Sequence, residues 1–127
     1  MKKIIIYSPN APSPIGPYNQ GILMNDTLYI SGQISLNPKT KKMVKGDLKK
    51  ETIQIMENLN EILKSAEMNF DNIVKSTIFL TDIDNFNQVN EIYGSYFDKK
   101  NAPARETVAV KSLPKKARVE ISLIAMK

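Results

Sequence analysis

From Ala117 to Met126 the chain alternates: Val119, Ile121, Leu123 and Ala125 take one set of positions, and Arg118, Glu120, Ser122 and Ile124 the other. Successive side chains of an extended backbone point to opposite faces, so this is a strand with one apolar face. Ile73 to Thr81 repeats the pattern, with Val74, Ser76, Ile78 and Leu80 on one side. A chain with two such strands has to build a sheet and cover its apolar face. The cover is legible too. Thr52, Ile55, Met56, Leu59, Ile62, Leu63 and Ala66 recur at three- and four-residue steps, which marks one helix. Asp47 is a good N-cap for it, and Asn69 stands where a left-handed residue would close it. Phe86, Val89, Tyr93 and Phe97 give a second helix its stripe, with Thr81, Asp82, Asp84 and Asn85 as competing caps.

The remaining segments complete the sheet. Lys3 to Tyr7 is a short apolar strand, and the proline-rich Ser8–Pro14 that follows cannot join a ladder. Tyr18 to Met24 reads as a strand that turns at Asn25-Asp26 into Thr27 to Ser31. There Leu28 and Ile30 share one face, and Tyr29 and Ser31 the other. Gly32 follows at once, where a glycine marks close approach of backbone or ligand. Pro103 ends a loop in a defined direction ahead of a short strand, Thr107 to Val110, and Leu113–Lys116 is a turn. The order is β-β-β-α-β-α-β-β over residues 1–127, with no repeat and no linker. This is a single α+β domain, a sheet with two helices on one face. The other face needs cover for residues such as Ile78 or Phe79, so self-association is expected.

Composition narrows the chemistry. The chain has no cysteine and no histidine, which removes disulfides, thiolate catalysis, the commonest general base and the commonest transition-metal ligand. No metal or cofactor is expected. The net charge of +5 comes from lysines spread along the chain and would attract anions of any kind. Aromatic residues do not interleave with those lysines as a base-stacking platform would, so nucleic acid is not the expected partner. Lys2-Lys3 before Ile4-Ile5-Ile6 is too short a run for a signal peptide, and no segment reaches membrane-spanning length. A cytoplasmic protein without membrane contact is expected.

Five places can carry function. Arg105, at a strand entrance, presents a fork of donors that fits a carboxylate, and Thr107 lies on the same face two residues on. The alternative for Arg105 is a surface ion pair. Glu120 is a carboxylate between two apolar strand residues. It is either a cross-strand partner of a cation or an acid/base acting on water, with a pKa that burial would raise. Tyr18, just past Pro14-Ile-Gly-Pro17, is either a packed tyrosine or a ligand contact. Ser31-Gly32 is an ordinary turn or an accessible backbone. Asn90 and Tyr93, at i and i+3, pack a helix or face a ligand.

The motifs Pro14-Ile-Gly-Pro-Tyr18, Ser31-Gly-Gln-Ile34, Val89-Asn-Glu-Ile-Tyr93, Pro103-Ala-Arg105 with Thr107, and Leu113-Pro ahead of Val119-Glu-Ile121 occur in one order. The set resembles the RidA (YjgF) family of reactive imine/enamine deaminases, over roughly Ser13 to Ala125. The resemblance implies a chorismate-mutase-like mixed sheet and a homotrimer with a central barrel and ligand clefts between subunits. It implies cofactor-independent hydrolysis of 2-aminoacrylate, 2-aminocrotonate and related 2-imino acids, released by pyridoxal-phosphate enzymes, to 2-keto acids and ammonia. Arg105 falls on the family's essential arginine and Glu120 on its water-handling glutamate. Tyr18, Ser31, Gly32, Asn90, Arg105 and Thr107 fall on its ligand contacts. Many members carry cysteine where this chain has Thr107, which keeps a hydrogen-bonding group and removes any thiol chemistry. Two other readings stand beside this one. The first is the RNA-directed inhibition of translation attributed to relatives, and the second is non-catalytic binding of small carboxylates.

Overall fold

The computed structural model describes residues 2–127. Six strands form one mixed sheet: β1 (Lys3–Ile6), β2 (Gly21–Met24), β3 (Thr27–Gln33), β4 (Ile73–Leu80), β5 (Ala104–Ala109) and β6 (Val119–Met126), in the order β1-β2-β3-β6-β4-β5. All neighbours are antiparallel except β4 and β5, which run parallel. Two helices, α1 (Leu48–Ser65) and α2 (Phe86–Gly94), share a single buried cluster with the apolar sheet face. The expected α+β architecture is the one observed.

Local chemistry sets the elements. Asp47 caps α1, accepting from the Lys49 and Lys50 amides at 3.0 and 3.2 Å. Ile55, Met56, Leu59, Ile62 and Leu63 are fully enclosed against Leu28, Ile78, Leu80, Ile121 and Leu123. The left-handed residue that closes α1 is Glu67, at φ 57°, rather than Asn69. The Met68 amide reaches back to the Leu63 carbonyl and Glu67 to Lys64, a Schellman closure. Asn69 instead caps the 3-10 turn Phe70–Asn72. Of the competing residues ahead of α2, Asp82 caps the short turn Ile83–Asn85 that leads into the helix.

Two strands change phase. Opposite β6, β4 carries one extra residue between Ile73 and Lys75, so Ile73 is buried and Val74 is 44% exposed, against the simple alternation. In β3 the register with β6 shifts between Ile30 and Gln33, which puts a bulge at Ser31-Gly32. The strand therefore runs past Ser31, to Gln33.

The face away from the helices carries Tyr29, Thr77, Phe79, Glu120, Ser122 and Ile124, none of them fully buried. Ile78 is not among them; it sits in the core at 1% exposure, while Phe79 does face outward. Among the described residues, no helix is long and apolar enough to cross a membrane.

Candidate functional site

The β4–α2–β5 unit is a parallel crossover, and it lays α2 over the sheet edge that carries Arg105. Arg105 is level with Ser76 and Thr107 with Ile78, so both point to the helix side of the sheet. Arg105 Nη1 donates to Asn90 Oδ1 at 2.6 Å. The guanidinium carbon lies 5.2 Å from the Tyr93 ring centroid and 5.5 Å from that of Phe86. Such contacts contribute about 0.5–2 kcal/mol each. The Tyr93 hydroxyl donates to Ser76 Oγ at 2.8 Å. Burial pushes the Tyr93 phenol up, against the Ser76 bond and the Arg105 charge, which pull it down.

Arg105 makes no ion pair among the described residues, so its charge is held by neutral partners only. Glu91 lines the same cleft but lies 3.9 Å from Lys49. The cleft holds about 610 Å³ and is walled by Asn90, Tyr93, Phe97, Lys99, Pro103 and Arg105. Thr107 Oγ1 is buried without a hydrogen-bond partner among the described residues. An unmet hydroxyl of this kind costs about 1–3 kcal/mol and invites an explanation.

The second cluster is built by backbone shape. Gln20 is 2% exposed and ties down the proline-rich loop. Its Oε1 accepts from the Ser8 amide at 2.6 Å, and its Nε2 donates to the carbonyls of Ser8, Ala11 and Pro12 at 3.1, 3.3 and 2.9 Å. The pinned loop delivers Ile15 and Tyr18, and the Tyr18 hydroxyl accepts from the Ile15 amide at 3.3 Å. Among the described residues its own proton meets no acceptor, so it can donate to a ligand. Ser31 Oγ spends its proton on the Asn19 carbonyl at 2.6 Å and can only accept from a ligand.

Glu120 lies over the β3 bulge. A Cβ built on Gly32 would stand 2.5 Å from Glu120 Oε2 and 2.8 Å from its carboxyl carbon. Glycine is thus what lets the carboxylate lie on the backbone. Among the described residues Glu120 has no ion pair or side-chain hydrogen bond, and burial alone pushes its pKa up. Tyr18, Ser31, Gly32, Pro114 and Glu120 enclose about 380 Å³.

The structure therefore gathers the expected residues into two groups. Asn90, Arg105 and Thr107 stand on the helix side at the β5 edge. Tyr18, Ser31, Gly32 and Glu120 lie together, with Glu120 on the opposite side of the sheet between buried Val119 and Ile121. Within one chain Arg105 and Glu120 do not meet. Sequence reading missed Gln20, Phe86 and Ser76 as contributors. A serine on an otherwise apolar strand face signals a buried partner, and that partner is Tyr93. Gln20 carried no such signal. Among the described residues, no group of three or more acidic side chains is placed to hold a metal ion.

The family model described as Endoribonuclease L-PSP matches residues 8–127. The human (Homo sapiens) 2-iminobutanoate/2-iminopropanoate deaminase is 47% identical over 122 residues, covering 96% of this chain and 88% of that protein. A Rid-family protein, YyfA of Yersinia pestis, superposes with a TM-score of 0.96 at 49% identity, covering 99% of this chain and all of that one. E. coli TdcF, solved with bound serine, superposes with a TM-score of 0.91 at 36% identity, covering 98% of each chain.

Proposed function

Because the chain belongs to the Endoribonuclease L-PSP family, the RidA (YjgF) family that its motifs resemble, we propose that it hydrolyses small 2-imino acids to 2-keto acids and ammonia. The observation that carries this reading is the Arg105 guanidinium, aimed by neutral partners and, among the described residues, left without a carboxylate. A cation kept in that state is complementary to a carboxylate from outside the chain. The serine held by TdcF is a ligand of that kind, and 2-iminobutanoate has the same head group.

The reaction needs little beyond placement. Arg105 fixes the carboxylate and with it the imine carbon, which is already electrophilic. Water adds to that carbon while Glu120 takes its proton. Glu120 returns that proton to the nitrogen, giving a carbinolamine. It then takes the second proton from the new hydroxyl and passes it to the amine as the C–N bond breaks, which leaves the keto oxygen on carbon and releases ammonia. An enamine such as 2-aminocrotonate enters after tautomerising to the imine. A desolvated glutamate with no partner suits the shuttle, since its pKa is raised towards the working pH. Tyr18 offers a proton to the substrate, Ser31 a lone pair, and Gly32 an accessible backbone. Asn90 and Thr107 complete the anchor side.

Arg105 and Glu120 can act on one substrate only if the two clusters come from different subunits. A cyclic assembly brings one chain's Arg105 edge to its neighbour's Glu120 cleft, and the uncovered sheet face gives a surface for such contact. We take the assembly to be the homotrimer.

The test generates 2-aminoacrylate or 2-aminocrotonate in situ with a dehydratase and follows ammonia or keto-acid release. The wild-type chain is expected to accelerate release and Arg105→Ala to lose the acceleration. A folded wild-type protein that leaves the spontaneous rate unchanged would sink the deaminase reading.

A further inference from the structure

We propose that Phe86 and Tyr93, with Ser76 behind them, are positioning residues that hold the Arg105 guanidinium in the one orientation that binds a substrate carboxylate. The inference rests on Arg105 being the carboxylate anchor. An arginine at a sheet edge beside a cleft of about 610 Å³ has many side-chain conformations open to it. Here its freedom is removed from two directions. Asn90 Oδ1 fixes one nitrogen at 2.6 Å, and two aromatic rings stand 5.2 and 5.5 Å from the guanidinium carbon.

The rings are themselves secured. Tyr93 is 4% exposed, and its hydroxyl is bonded to Ser76, the residue level with Arg105 on the adjacent strand. The contacts close a circuit: Arg105 to Tyr93, Tyr93 to Ser76, and Ser76 back to Arg105 across the β4–β5 ladder. Asn90 and Tyr93 lie three residues apart on one face of α2, so a single helix supplies both the hydrogen bond and the stacked ring. Phe86, at the first position of α2, adds the second ring from the same helix. Ring faces attract the cation without consuming its N–H groups, which leaves the rest of the donor fork for a ligand. A carboxylate in place of the rings would hold the arginine as firmly and neutralise it.

The sequence makes the test clean. Arg105 and Arg118 are the only arginines in the chain. Arg118 bonds Glu51 through Nε at 3.1 Å, and among the described residues no aromatic ring lies against its guanidinium. A nitrogen–proton correlation spectrum of the arginine Nε groups should therefore show two signals, one shifted by the Phe86 and Tyr93 ring currents and one serving as internal reference. Phe86→Leu keeps an apolar side chain and removes the ring; Phe86→Trp keeps a ring.

In Phe86→Leu the Arg105 signal is expected to lose its ring shift while that of Arg118 stays in place. Affinity for pyruvate, used as an unreactive carboxylate, should fall about tenfold, and KM for the imine should rise about tenfold with kcat changed less. Phe86→Trp should restore both to within a few-fold, which general packing at the start of a helix would not produce. Tyr93→Phe should give a smaller shift of the same Arg105 signal. If a folded Phe86→Leu leaves the Arg105 signal and pyruvate affinity unchanged, the clamp is refuted, whatever the activity of the wild type. If instead the wild type fails to hydrolyse imines, the deaminase reading falls, and the clamp stands or falls on the Arg105 signal alone.

Discussion

The two halves of the site are built by opposite means. Around Arg105 the work is done by side chains: a hydrogen bond to Asn90, two rings, and a buried Tyr93–Ser76 pair, all delivered by one helix and two strands. Around Glu120 the work is done by backbone: a bulge, a glycine whose missing side chain makes room, and a loop that Gln20 ties in place. One half holds a cation among neutral partners. In the other, burial raises the pKa of a carboxylate. The contrast teaches that a cation can be aimed by crowding it with neutral partners, whereas the pKa of a carboxylate is raised by burying it without any.

The largest effects test whether the halves belong to different subunits. Arg105→Ala should lower kcat/KM about 10³-fold, as expected when one partner of a desolvated charge pair is removed. Glu120→Gln should cost about 10²-fold, mainly in kcat, because the amide can still hold water but cannot carry its proton. Each variant keeps the half the other lacks. Unfolding and refolding the two inactive variants together should therefore restore about a quarter of wild-type activity, the share expected if random mixing in a closed ring of three leaves some clefts intact. No recovery would show that Arg105 and Glu120 serve one subunit's site, or none. Relief of the acid limb of the kcat/KM profile in Glu120→Gln is the companion measurement. That limb should lie above the pH where an ordinary glutamate titrates, because burial raises the Glu120 pKa.

A smaller effect isolates the backbone-built half. In Gly32→Ala the new methyl would meet the Glu120 carboxylate at 2.5 Å. The obstructing atoms are the end of a flexible side chain, so the carboxylate can swing away and thermal stability should change by about 1 kcal/mol or less. Activity should fall about tenfold or more, since a displacement of an ångström at the reacting group is costly. Pyruvate affinity should hold, because Arg105 is untouched. Equal loss of affinity and turnover would mean that the two halves are not separable.

The sequence made the side-chain-built half harder to read than its residues suggest. Arg105 and Thr107 were placed on one face by strand alternation alone, and Asn90 by helix spacing. What held Arg105 was hidden, because Phe86 and Tyr93 satisfy the helix stripe equally well as core residues. The helix faces and β6 were legible because burial writes a period into the chain. The two bulges were not, because one extra residue leaves no compositional mark. Val74 fell on the wrong face for that reason, and Gly32 gained its importance by the same device. By residue type Asn69 is the residue suited to close α1. Local hydrogen bonding put the left-handed position at Glu67 instead, where no preference for asparagine or glycine could point. That Arg105 and Glu120 lie on opposite sides of the sheet follows from strand order, which periodicity does not contain.

The smallest expected effect is on stability, and it reads the state of assembly directly. Burial raises the Glu120 pKa above its ordinary value of 4.5. Between the unfolded and folded values the native chain keeps a proton that the unfolded chain has lost. Stability therefore falls as pH rises through that window and levels off above it. Glu106 runs the other way: hydrogen bonds from Lys75 and Thr77 lower its pKa, so its contribution is present above the ordinary value and fades as pH falls through the folded one. The window above 4.5 thus belongs to Glu120. If a neighbour's Arg105 faces Glu120 across the cleft, its charge opposes the effect of burial and shortens the window. Thermal unfolding at fixed protein concentration, with wild type, Arg105→Ala and Glu120→Gln compared across pH, separates these terms. The decline with pH should be steepest in Arg105→Ala, weaker in wild type and absent in Glu120→Gln. Identical slopes in wild type and Arg105→Ala would mean that the two charges never face one another, and the composite site would have to be abandoned.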